Sequence, residues 1–120
     1  MKDGAWIGVD LDGTLAHYEG WDNGKIGRPV TLMVERVKRW LAAGKTVKIF
    51  TARVSGIGAY DIAQGREMTS EDIVGPIREW CVEHIGQELE VTNVKDFGMV
   101  ELWDDRCFRV ERNKGTITRK

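Results

Sequence analysis

No apolar run in the chain approaches the roughly 18 residues that a membrane-spanning helix needs. No leader pattern precedes the first apolar stretch, because Met1-Lys2-Asp3-Gly4 leads directly into it. The protein is therefore expected in the cytoplasm, away from membranes. Cysteine is scarce: Cys81 and Cys107 lack the paired spacing of a zinc or iron–sulfur site. Both stand in apolar contexts and are expected as buried free thiols of a reducing compartment, not as a disulfide. Neither sign of charge dominates. Lys and Arg total 18 against 19 Asp and Glu, a net charge of −1, so there is no basic footprint for nucleic acid and no acidic tail. Repeats and low-complexity segments are absent, and 120 residues suffice for one core only. Residues 1–120 are read as a single domain.

What is present begins with "AWIGVDLDGT", an apolar run that stops at Asp10 and Asp12, followed by Gly13 and Thr14. A strand that ends in Asp-Gly often just enters a turn. The ordered set of two acids, glycine and threonine behind a strand is another matter. At ordinary residue usage it arises by chance in roughly one chain in a thousand of this length.

Periodicity supplies the frame. Residues 5–10 read as a strand buried on both faces. Residues 30–43 carry Val30, Met33, Val34, Val37, Trp40 and Leu41 at helical spacing, with Pro29 at the start and Gly44 at the exit. A second strand spans 46–51, and 52–69 reads as a long loop. A helix follows over 70–85, capped by Thr69 or Ser70 and broken or kinked by Gly75-Pro76. Strands are expected at 89–94 and 99–104, with a last strand-like stretch in "CFRVERN" and a frayed basic tail. Trp6, Trp40, Trp80 and Trp103 fit the core, whereas Trp21 does not. Strands alternating with helices imply a parallel sheet with right-handed crossovers, and such sheets bind ligands at the carboxyl ends of their strands.

Polar residues collect at those ends: Asp10 and Asp12 after the first strand, Thr51 and Arg53 after the second, Lys95 after the third, Asp104 and Asp105 after the fourth. Carboxylates brought together repel unless a cation lies between them. An oxygen-only donor set selects a hard ion, Mg²⁺ rather than zinc. A lysine and a threonine hydroxyl beside it suit a phosphate, which together describes a metal-assisted phosphoryl-transfer site. Lys95 also reads as a solvated turn lysine. Arg53 and Arg106 suit either a substrate anion or an ion pair, and His17 and Tyr18 either substrate contact or packing.

"VDLDGT", "FTAR", "NVKD" and "LWDDR", in that order from Val9 to Arg106, resemble the four motifs of the haloacid dehalogenase superfamily. The resemblance implies a compact three-layer Rossmann-like domain with a mostly parallel sheet. It implies Asp10 as the nucleophile that forms an aspartyl-phosphate and Asp12 as general acid and base. Thr51 and Lys95 would hold the phosphoryl group. The Asp10 carboxylate, the Asp12 backbone carbonyl, Asp104 and Asp105 would hold Mg²⁺. The second aspartate sides with the phosphatases, so a small phosphorylated molecule is the expected substrate. Neither inter-motif gap holds a separate cap domain. Instead, residues 14–29 contain Asn23-Gly24, a hairpin signal, and read as a flap carrying Tyr18 and Trp21 over the site. A phosphotransferase, a weakly active binding or regulatory module and a nucleic-acid end phosphatase are the rival readings. The last has no basic stripe with interleaved aromatics to support it. Oligomeric state is left open.

Overall fold

Trp6–Val9 forms strand β1 with all four residues buried. Ile7 and Val9 are completely inaccessible, and burial of each contributes about 1.5–3 kcal/mol. The computed structural model describes residues 4–118. The start at Met1–Asp3 and the last two residues of the basic tail lie outside the described residues. Helix α1 (Thr31–Ala42) follows, then β2 (Val47–Phe50), a 3₁₀ turn (Ala52–Gly56), the short strands β3 (Tyr60–Asp61) and β4 (Arg66–Glu67), helix α2 (Ser70–His84), β5 (Glu90–Thr92) and β6 (Met99–Trp103). No helix among the described residues is long and apolar enough to cross a membrane.

Four strands make one parallel sheet in the order β5-β2-β1-β6. The chain steps from β1 to β2 to β5 in one direction, each crossover carrying one helix. Right-handed connection then places both helices on the same face. The core agrees: Ile7, Val9, Val47 and Ile49 of the sheet pack with Met33, Val34 and Val37 of α1 and Ile77, Trp80 and Cys81 of α2. The expected third layer is not formed by a helix among the described residues. The reason is the connection to β6, whose residues 93–98 are too few to hold one. The segment is pinned by Asp96, which accepts from the Trp6 indole Nε1 and from the Gly98 amide, both at 2.8 Å.

That connection reverses the direction of travel, so β6 lies on the far side of β1. The reversal falls between β1 and β6, the place where an open α/β sheet leaves a crevice at its carboxyl edge.

Four further expectations are corrected. Residues 52–69 are no structureless loop, since β3 and β4 pair antiparallel within them. Helix α2 runs unbroken through Gly75-Pro76. Proline removes one hydrogen bond near the helix start, where a Thr69–Asp72 capping box anchors the turn. Cys107 is exposed, whereas Cys81 is buried, and both are free. The "CFRVERN" stretch joins no sheet strand and makes only the bridge between Val110 and Ile117. Of the tryptophans, Trp6 and Trp80 are buried, and Trp40 and Trp103 pack partly buried against each other with ring centroids 5.1 Å apart.

Candidate functional site

Asp10 stands directly after β1, and its amide donates to the Trp103 carbonyl at 2.9 Å, tying the carboxyl ends of β1 and β6 together. Val9 pairs in register with Trp103, so Asp10 and Asp104 are the next residues out on neighbouring strands. After Asp10 the chain turns tightly, with Leu15 and Ala16 donating to the Leu11 carbonyl. Leu11, Leu15 and Ala16 are fully buried, so hydrophobic anchors hold the turn that presents the acids. Gly13 is required here. Its φ is +90°, and a Cβ would lie 2.7 Å from an Asp105 carboxylate oxygen.

Carboxylate oxygens of Asp10, Asp104 and Asp105 lie within 4.8 Å of one another. The Thr14 hydroxyl sits between two of them, 3.3 Å from Asp10 Oδ2 and 3.4 Å from Asp105 Oδ1. Burial first, then the neighbouring Asp104 and Asp105, raises the Asp10 carboxyl from 3.8 to about 7. Between those values the folded protein holds a proton that the unfolded chain has lost. The contribution of this group to stability therefore falls as pH rises from about 4 to about 7. Thermal melts without divalent ions are expected to show this trend, and Asp104→Asn should flatten it. A melting temperature that climbs through this range without metal, in parent and variant alike, would contradict the cluster's repulsion.

The donor set is all oxygen, carries up to three negative charges and has no nitrogen or sulfur, which fits a hard divalent cation.

Asp12 is held differently. Arg53 leaves β2 through the 3₁₀ turn and grips Asp12 with both arms, Nε to Oδ2 at 2.7 Å and Nη2 to Oδ1 at 2.8 Å. Its Nη1 donates to the Gly24 carbonyl at 2.7 Å, and the guanidinium lies 4.9 Å from the Trp21 ring centroid. One arginine thus joins the acid turn, the second strand and the flap. Of the two readings of Arg53, ion pairing is the one observed. Such forked, charge-assisted bonds are among the stronger polar contacts.

Within residues 14–29 the chain turns at Asn23-Gly24, with no hairpin strands flanking the turn and only an isolated bridge between Ala16 and Pro29. Asn23 and Gly24 have φ of 51° and 79°, and Lys25 donates to the Asp22 carbonyl at 2.9 Å. His17 faces Arg28 at 3.1 Å, so packing within the flap is its observed contact.

Thr51 is 2% exposed at the end of β2. Its hydroxyl oxygen accepts from the Arg53 amide at 3.2 Å, which leaves its hydrogen free to donate into the site. Lys95 is not brought in: it is exposed on the 93–98 connection and does not line the cleft. Asn93 lines it instead. The cleft itself measures about 1410 Å³, and its lining includes Tyr18, Trp21, Asn23 and Gly24 of the 14–29 segment and Tyr60 and Asp61 of β3.

The hairpin, with Tyr60 on it, was not singled out from the sequence, and Thr14 was noted there only as part of the two-acid, glycine and threonine set, without its bridging contact. A signal for the hairpin was there. Asp61 accepts from the amides of Ala63 and Gln64, and Gly65 closes the turn at φ 69°. An aspartate that starts a four-residue connection ending in glycine is turn chemistry.

No protein family, curated protein or solved structure gives a match to this chain.

Proposed function

We propose that the protein is a Mg²⁺-dependent phosphomonoesterase of haloacid dehalogenase type, on a capless Rossmann-like domain, acting through an aspartyl-phosphate on Asp10. One observation carries the reading. Three carboxylates converge at the carboxyl edge of a parallel sheet, where the strand order reverses, with a threonine hydroxyl at the adjacent strand end. Asp10, Asp104 and Asp105 would hold the ion, with the Asp12 carbonyl beside them. Bound there, Mg²⁺ supplies positive charge that offsets the carboxylates and an incoming phosphate dianion.

The chain's own groups do the rest. Asp10 attacks phosphorus, and the ester bond breaks. The leaving alkoxide takes a proton from the Asp12 carboxyl, which carries it on an oxygen that Arg53 has released. Asp12 then takes a proton from the water that attacks the aspartyl-phosphate, which releases phosphate and restores both acids. Thr51 donates to the phosphoryl oxygens. Lys95, expected as the phosphate cation, does not line the cleft, and no step rests on it.

The test is hydrolysis of p-nitrophenyl phosphate with and without chelator. Activity is expected to vanish in excess chelator and return with Mg²⁺; undiminished activity in chelator overturns the metal assignment. A second reading, a phosphate-binding module with little turnover, is favoured by the grip of Arg53 on both oxygens of Asp12. It predicts beryllium fluoride binding without hydrolysis of any phosphomonoester.

A further inference from the structure

Phosphate would fill only a small part of the cleft. Pockets that enclose a whole small-molecule ligand measure roughly 300–1,000 Å³, and this one is about 1410 Å³. The surplus space is open to the group that phosphate leaves behind, and its walls show what that group would meet.

The walls are aromatic and held in place. Trp21 and Tyr60 are 64% and 65% exposed yet line the same cleft from opposite elements. Trp21 is steadied on the flap by Arg53, whose guanidinium lies over the ring, and the indole remains largely open. The flap is tied down through the Gly27 carbonyl, which accepts from Trp80 Nε1 at 2.9 Å. Tyr60 belongs to a hairpin closed by reciprocal backbone bonds of Gly58 to Met68 and Met68 to Ala59. That hairpin is clamped to the start of α2 by Arg66 on Asp72. Two anchored elements thus hold large aromatic rings in water, an arrangement that costs hydrophobic free energy until a flat partner covers them.

Charge narrows the partner further. Beyond the acid cluster the cleft is lined by Asp61 and by Asp72, the latter paired with Arg66. Arg53 is committed to Asp12, which leaves Arg106 as the lining cation outside an ion pair among the described residues. A second phosphate or a polynucleotide backbone would meet the Asp61 carboxylate there, with Arg106 as its one lining counter-charge among the described residues. The neutral amides of Gln64 and Asn93 line the same space and offer donors and acceptors to a ring edge.

Resting on the phosphomonoesterase reading above, we propose that the substrate is a small phosphomonoester whose leaving group carries a neutral heteroaromatic ring, as in a nucleoside monophosphate, stacked between Trp21 and Tyr60. Stacking of a base on an aromatic side chain is worth about 1–3 kcal/mol, so each ring removed should weaken binding by roughly 5- to 150-fold.

The experiment has two arms. Adenosine, which has no phosphate, is titrated calorimetrically into wild-type protein, Trp21→Ala and Tyr60→Ala, with ribose as the control. Adenosine is expected to bind wild type and to weaken at least about fivefold in each variant, while ribose shows no binding. Separately, kcat/KM is compared for adenosine 5′-monophosphate and ribose 5-phosphate. The nucleotide is expected to be preferred by at least about tenfold, with the preference shrinking in Tyr60→Ala, a substitution at an exposed position outside the core. Binding of adenosine without hydrolysis of any phosphomonoester would remove the enzymatic reading and leave the aromatic site standing. Equal turnover of both phosphates, with no adenosine binding, would overturn the aromatic proposal and leave the enzyme. Better turnover of a phosphate-ended oligonucleotide than of the mononucleotide would overturn it too, in favour of a polymer end.

Discussion

The Asp10→Asn protein is expected to fold, to melt higher than the parent in metal-free buffer above pH 7, and to hydrolyse no phosphomonoester above background. The two effects have one cause. In the parent, burial and the adjacent Asp104 and Asp105 make the Asp10 charge costly, which is why its carboxyl is raised to about 7. Above that pH the folded protein carries the charge and its cost; asparagine carries neither. The amide is also a poor nucleophile toward phosphorus, and loss of a nucleophile that works within a catalytic set typically removes about 10⁴–10⁶-fold in rate. Beryllium fluoride, which imitates an acyl phosphate, should bind the parent and not the variant. A variant that is inactive because it is unfolded would lose stability, whereas this one gains it, so the melt separates the two explanations. Full activity in Asp10→Asn would refute covalent catalysis by this residue.

That acid cluster was legible in the sequence because few physical rules are needed to assemble it. Apolar runs of strand length and helices between them imply a parallel sheet, and a parallel sheet gathers the carboxyl ends of its strands. Asp10, Asp104 and Asp105 meet for that reason alone. The helices were legible because their apolar faces repeat at helical spacing, and α1 and α2 fall within a residue or two of the expected ranges. Local chemistry also sufficed for the Asn23-Gly24 turn, where both residues adopt positive φ.

What failed to show depends on contacts between distant residues or on the lack of burial. Nothing near Arg53 in the chain indicates that it would close on Asp12, 41 residues earlier. The β3–β4 hairpin has strands of two residues each, half or more exposed, so no buried alternation marks it. The placement of Lys95 follows from the 93–98 connection, which Asp96 draws toward the first residue of β1. Cys107 looked apolar by its neighbours Phe108 and Val110, yet these are themselves exposed. A flanking pattern of hydrophobic residues carries information about burial only where an element exists to bury them.

The second large effect is expected at the Arg53–Asp12 pair. The Arg53 side chain is 8% exposed and that of Asp12 20%, so Arg53→Ala leaves a carboxylate partly shielded from water with both of its Arg53 hydrogen bonds gone. Removing one member of a buried pair typically costs about 3–5 kcal/mol, and the residual exposure of Asp12 should bring this to about 2–3 kcal/mol. For a domain of this size that is a fall of roughly 10 °C in melting temperature. Arg53→Lys keeps the charge but loses the fork and the planar stack on Trp21, so an intermediate loss is expected. The double variant Arg53→Ala/Asp12→Asn should recover part of the stability, giving a coupling of about 1–3 kcal/mol. Strictly additive losses would show that the contact holds no net energy. Arg53 also donates to the Gly24 carbonyl, so the Lys25 amide, closed on Asp22 within the same turn, should exchange faster with solvent in Arg53→Ala. Activity decides what the pair is for. If Arg53 positions Asp12 for proton transfer, kcat should drop by about 10–10²-fold, within the range that general acid–base help supplies, while Arg53→Lys regains part of it. A rise in kcat on removing Arg53 would instead mean that the pair restrains the acid, with flap and acid released together.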